Sequence, residues 1–146
     1  MREAIGGTWI FSIVIFFIVL FTGYLAVSVN YSKAFKVKNG IINIIEQNEG
    51  LNTAAQSQID NYLNGVGYYV YSTCSTSEGE KGYGTNNTNS GNRYCISKRE
   101  SGEGTFRKTY YKVRVFFRLD LPVFGSLLVF PVTGETKAVY FANDSL

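Results

Sequence analysis

With 146 residues, 14 Lys and Arg against 11 Asp and Glu and a net charge of +3, the chain is long enough for one domain with a modest core. The charges are interspersed in sign, so they define neither a nucleic-acid surface nor a site for an acidic ligand. There is no His, which excludes histidine-dependent triads and, with only two Cys outside any metal-ligand spacing, argues against zinc.

The first element is the stretch TWIFSIVIFFIVLFTGYLAVS, Thr8 to Ser28, inside a run with no charged side chain from Ala4 to Ser32. Trp9 to Val29 is nearly all apolar, about 21 residues or roughly 31 Å of helix, which spans a bilayer. A secretory signal core is shorter, about 7 to 15 residues, follows a positive leader and ends at a small-residue cleavage site. Here the leader is only MRE and Ala26-Val27-Ser28 matches such a site poorly, so a retained anchor is expected. Residues 1–32 are read as a transmembrane helix and 33–146 as a single domain.

The helical pattern continues past the apolar run. Val27, Tyr31 and Phe35 recur every four residues, and Val37, Ile41, Ile42, Ile44 and Ile45 extend the pattern to about Gln47. The expectation is one helix of about 40 residues, roughly 60 Å, weakened at Gly40 by about 1 kcal/mol relative to Ala. NEGLN ends it. NTAAQSQIDNYLNG predicts a second helix with Asn52 or Thr53 as N-cap, Ala55, Ile59, Tyr62 and Leu63 inward, and Gly65 as the stop.

Strands follow: GYYVYSTC and RYCISK, separated by a polar loop, 75–92, too rich in Ser, Gly, Asn and Thr to pack a core. The long alternation YYKVRVFFRLDL places Tyr111, Val113, Val115, Phe117, Leu119 and Leu121 on one face and Tyr110, Lys112, Arg114, Phe116, Arg118 and Asp120 on the other. Pro122 and Gly125 interrupt it, SLLVFPV resumes, and TGET predicts a hairpin into KAVYFAN. The fold class expected is α+β: a long N-terminal transmembrane and amphipathic helix packed on a small antiparallel sheet.

Cys74 and Cys95 flank the polar loop. A disulfide there would contribute about 3 kcal/mol and persist only in an oxidising compartment; the alternative is two buried, unrelated thiols. Lys33, Lys36 and Lys38 just past the membrane segment favour a cytoplasmic domain by the positive-inside rule, but long domains translocate regardless of such charges. The cysteine pair decides for an extracytoplasmic one. Thr8, Ser12, Thr22, Gly23 and Ala26 fall within about 100° of arc on a helical wheel, a face on which small residues would let another transmembrane helix approach. A lone anchor with accidentally aligned residues is the alternative.

No catalytic constellation emerges. Glu78 with Glu80, and Glu100 with Glu103, are carboxylate pairs in glycine-rich surroundings, best explained as solvated surface. GEKGYG matches neither a phosphate loop nor a dinucleotide fingerprint, and no cofactor is expected. Lys112, Arg114 and Arg118, with Arg107, Lys108, Tyr110 and Phe116, could in principle grip nucleic acid. Asp120 interrupts them, and a solvated sheet face is the expected reading.

The opening GGTWIFSIVIFFIVLF and the ending KVRVFFRLDLPVFGSLLVFPVTGETKAVYF, about a third of the chain, resemble TadE-like pseudopilins, type IV pilin-like proteins of tight-adherence pilus systems. The resemblance implies a membrane-anchored, non-enzymatic pilus or secretion component, partnered by the membrane and by other pilus or pseudopilin subunits. Ile10 stands where such helices usually carry a glutamate, and only Glu3 lies upstream, which implies a minor or accessory pseudopilin. A bitopic extracytoplasmic ligand-binding or sensory module is the rival expectation.

Overall fold

Helix α1 (Arg2–Gln47) is continuous over 46 residues in the computed structural model, which describes the chain apart from residues 1, 85–90, 103–106, 122–124 and 141–146. Its two halves differ in surroundings. Trp9 through Phe21 are exposed throughout, whereas Ala34, Val37, Ile41 and Ile45, at the three-and-four spacing of one helical face, are buried. Gly40 does not weaken the helix for nothing. A Cβ there would lie 2.4 Å from Cζ of Tyr62, so the missing side chain is what lets α2 (Thr53–Val66) rest its Tyr62 ring on α1. The Tyr62 hydroxyl donates to the Lys36 carbonyl at 3.3 Å.

Between the helices the polar residues act as caps. Glu49 adopts φ 52°, the Gly50 N–H donates to the Ile45 carbonyl at 3.0 Å, and the Asn48 amide donates to the Ile44 carbonyl at 2.8 Å. The orphan carbonyls of α1 are thereby satisfied. Asn52 then caps α2, its side chain accepting the Ala55 N–H at 2.8 Å. Helix α2 buries Ala55, Ile59 and Leu63 and ends at Gly67, not Gly65. Only Gly67 takes the left-handed conformation, φ 64°, that closes a helix end.

The sheet is antiparallel, β1 (Lys81–Tyr83), β2 (Tyr94–Ser101), β3 (Lys108–Leu121) and β4 (Gly125–Glu135) in that order, with β5 (Val139–Tyr140) also on β3. Its inner face carries Tyr94, Ile96, Tyr111, Val113, Val115 and Val132, and the outer half of α1 lies across it. At that crossing Gly134 admits the helix, since a Cβ there would meet Lys38 and Ile42 at 2.8 and 3.0 Å. The α+β architecture expected from the sequence is the one observed.

Two local expectations are corrected. The segment GYYVYSTC is not a strand. Apart from a single bridge from Ser72 to Asn92 it runs irregularly, with Tyr68 buried in the core. Within the polar loop 75–92 lie a 3-10 turn at Thr76–Glu78 and strand β1. Nor is TGET a hairpin. Strand β4 pairs through Glu135 with Lys112, and β5 resumes on the same edge of β3 at Thr109 and Lys108. At the break, the Thr136 N–H donates to the Tyr111 carbonyl at 3.0 Å and the Tyr111 N–H donates to Thr136 Oγ1 at 3.1 Å. The threonine replaces a ladder step, so the chain passes straight on instead of turning.

Candidate functional site

The apolar half of α1 is long and apolar enough to cross a membrane, and none of its most apolar window is covered by the rest of the chain. The small-residue face divides. Thr8, Ser12 and Thr22 are exposed, while Gly23 and Ala26 are half-buried, as are Val27 and Asn30. At about 100° per residue, Gly23 and Ala26 lie in the same arc as Ala34, Val37 and Ile41. The small residues therefore continue the side of α1 that packs on the sheet. The hydroxyl of Thr22 donates within its own helix, to the Ile18 and Val19 carbonyls at 2.9 and 3.0 Å.

On the sheet's outer face a clamp holds the segment that follows Tyr68. Cys74 and Cys95 are disulfide-bonded, with Cα atoms 5.7 Å apart. Next to Cys95, on β3, Arg114 pairs with Glu78 at 3.0 Å and Glu80 at 3.1 Å, and Lys112 pairs with Glu78 at 3.0 Å. The Glu80 side chain is only 1% exposed and also accepts the Ser75 N–H at 3.0 Å. Hydrogen bonding from Lys112, then the charges of Lys112 and Arg114, hold the Glu78 carboxyl below the usual carboxylate range. The first carboxylate pair of the sequence is thus a structural tie. Lys112 and Arg114, the centre of the basic strand face, are neutralised by it. Glu100 pairs with Lys98 and Arg107 at 3.0 and 3.4 Å; Glu103 lies outside the described residues.

Where α1 leaves its uncovered half, a cleft of about 230 Å³ opens between Asn30, Lys33, Tyr68, Tyr69, Phe117 and Arg118. Lys33 donates to the Gly67 carbonyl at 3.0 Å and so ties the end of α2 to α1. Behind the cleft the buried Tyr68 hydroxyl accepts the Phe116 N–H at 2.8 Å and donates to the Phe116 carbonyl. Strand β2 begins opposite Val115, so Phe116 has lost its neighbour on that side and the tyrosine stands in for it. Because both polar groups of Phe116 point to Tyr68, its cross-strand partner Pro131 occupies a position where a missing N–H costs nothing. Phe116, placed by alternation on the solvated face, is buried. Burial pushes the Tyr68 phenol up to about 12 against the pull of Phe116.

Among the described residues no group of three His, Cys, Asp or Glu side chains could hold a metal ion. Sequence reasoning missed the clamp and Tyr68. The alternation of charges on β3 signalled the cations of the clamp, but nothing local signalled which carboxylates meet them. The fold defines an α+β protein whose long N-terminal helix, half covered by a small antiparallel sheet, offers the single possible membrane span among the described residues. No family model matches the chain, and neither a curated protein nor a solved structure does.

Proposed function

We propose that this protein is a membrane-anchored, pilin-like component of a pilus or secretion assembly, with its C-terminal domain outside the cytoplasm, working by helix packing and without chemistry of its own. The observation that carries the reading is the single α1 helix, bare and apolar over one half and built into the domain over the other. That arrangement couples a domain rigidly to whatever its membrane half packs against, which a flexible tether would not do. The disulfide supports an oxidising location. The lysine flank that argued otherwise has other uses: Lys33 caps α2, and Lys38 is buried with its ammonium 4.1 Å from the centre of the Phe35 ring.

The rival reading, a bitopic sensory or ligand-binding module, has the junction cleft as its candidate pocket. At about 230 Å³ it falls below the roughly 300–1,000 Å³ of small-molecule sites. Thiol crosslinking in intact membranes separates the two readings. Cysteine at Ser12, on the small-residue face, should capture a second transmembrane helix, that of a pilus subunit or an inner-membrane assembly protein; cysteine at Phe17, on the opposite side, should not. Capture of this chain alone would favour the sensory module. Equal, diffuse capture from both positions would contradict assembly through this face.

A further inference from the structure

The contacts between α1 and the sheet follow an order. The Glu46 carboxylate accepts the Lys137 N–H at 2.8 Å, Lys38 and Ile42 lie over Gly134, and the Tyr31 ring meets Phe117, whose ladder partner is Phe130, at 5.7 Å. Moving toward the amino end of α1 therefore means moving along the ladder toward Leu121 and Gly125. The ladder does not stop at Phe117. Leu119 pairs with Leu128 two steps further and Leu121 with Gly125 two steps beyond that. Each pair of steps is about 7 Å, or roughly four to five residues of helix. Counted from Tyr31, both pairs lie alongside the uncharged part of α1, on the lipid side of Ser32.

The chemistry of this part of the ladder fits that level. From Leu119 to Phe130 the only charged residue is Asp120. On β4, an edge strand, Leu128 is 56% exposed, Val129 43% and Phe130 39%, so apolar side chains stand out on both faces of the strand. Edge strands facing water carry charge instead, and an exposed apolar patch of this kind marks a contact surface. Just to the domain side stand Tyr31 and Phe35, stacked at 6.4 Å, and Phe117 and Phe130, stacked at 5.3 Å. Exposed Lys33, Lys36 and Arg118 lie at the same level. An apolar end below aromatics and cations is the layering of a protein at a membrane interface.

From this we infer that the part of the β3–β4 ladder at Leu119, Leu128 and Val129 is a second membrane-contacting element, resting in the lipid leaflet beside the outward end of the α1 span. It rests on the reading of α1 as a membrane helix. Its occupant is lipid, because Leu128 and Val129 are exposed and apolar at the level of the uncharged part of α1, with the aromatics and cations to their domain side. The two contacts together would fix how the domain stands on the membrane, with Lys33, Lys36 and Arg118 at the level of the phosphates.

Trp9 is the only tryptophan, which makes fluorescence quenching by lipids brominated on the acyl chains a direct test with the full chain in vesicles. The wild type reports the span. In a Trp9→Phe background, Leu128→Trp and, separately, Val129→Trp report the β3–β4 contact, and Tyr140→Trp reports the opposite end of the sheet as an aqueous control. We expect quenching at Trp9 and at positions 128 and 129, and none at 140. Quenching at Trp9 with positions 128 and 129 no more quenched than 140 would overturn the β3–β4 contact and leave the span intact. Unquenched but blue-shifted emission at 128 and 129 would also overturn it, since a protein surface would then cover them. An unquenched Trp9 would remove the membrane reading itself.

Discussion

Tyr68 is the residue on which the junction turns. Its hydroxyl serves both polar groups of buried Phe116, so Tyr68→Phe leaves an N–H and a carbonyl without a partner at a cost of about 1–3 kcal/mol. Thermal unfolding at neutral pH measures that loss. The same side chain gives an alkaline signature. Its folded pKa, about 12, stands above the ordinary 10.0, so the neutral form is favoured by folding. The linked stability is fully present below pH 10 and is lost as pH rises toward 12, about 2–3 kcal/mol in all. Tyr94, also pushed up by burial and by Asp60, adds its own loss. Tyr68→Phe should therefore make the alkaline slope shallower without abolishing it; an unchanged slope would show that Tyr68 is not the group responsible. Gly40 makes a second residue-level prediction. Alanine there should gain about 1 kcal/mol of helix propensity only when the Tyr62 ring is gone. A cycle of Gly40→Ala and Tyr62→Ala should be strongly non-additive, whereas additive effects would mean the ring moves aside freely.

Among the elements, the clamp over the outer sheet face is the least expected and the most separable. Removing the disulfide with Cys74→Ser and Cys95→Ser should cost about 3 kcal/mol in the chain-entropy picture, read from denaturant unfolding with and without reductant. Acid should act on the ionic half alone. The Glu78 carboxyl is held low by Lys112 and Arg114, so its contribution is present above the ordinary carboxylate pKa and disappears as pH falls through the lowered folded value. Hydrogen exchange in the segment from Ser75 to Glu80 should then accelerate while β2 and β3 stay protected. Acceleration of the strands together with the segment would mean that the clamp is not an independent unit.

The elements also mark what the sequence carried. The continuous helix, both caps of α2 to within two residues, the long strand and the cysteine pair were legible because each is a local pattern: period, cap residue, alternation, flanked loop. The break at Thr136 was not, since TGET has the composition of a turn and only the free edge of β3 beyond Tyr111 tells the chain to continue. Phe116 and the partners of Glu78 and Glu80 depend on contacts across 34 or more residues of sequence, which no local pattern encodes. The small-residue face was visible on the helical wheel. Its continuity with the domain-packing side became visible only when the buried positions of α1 were known.

At the scale of the molecule, α1 is one helix with a bare half and a covered half. The bare half has no core of its own to enter, and the covered half is the roof of the sheet, so any tilt imposed in the membrane is transmitted to the domain. A nitroxide scan of α1 from Trp9 to Asn39 in vesicles, recording access to oxygen in lipid and to a polar relaxer in water, tests this most directly. The account predicts uniform lipid exposure to about Val29, interrupted only on the face of Ser12 and Gly23, and then a helical oscillation with minima at Ala34 and Val37. Access of the polar relaxer throughout Trp9 to Val29, or a loss of helical period between Val29 and Ala34, would contradict it.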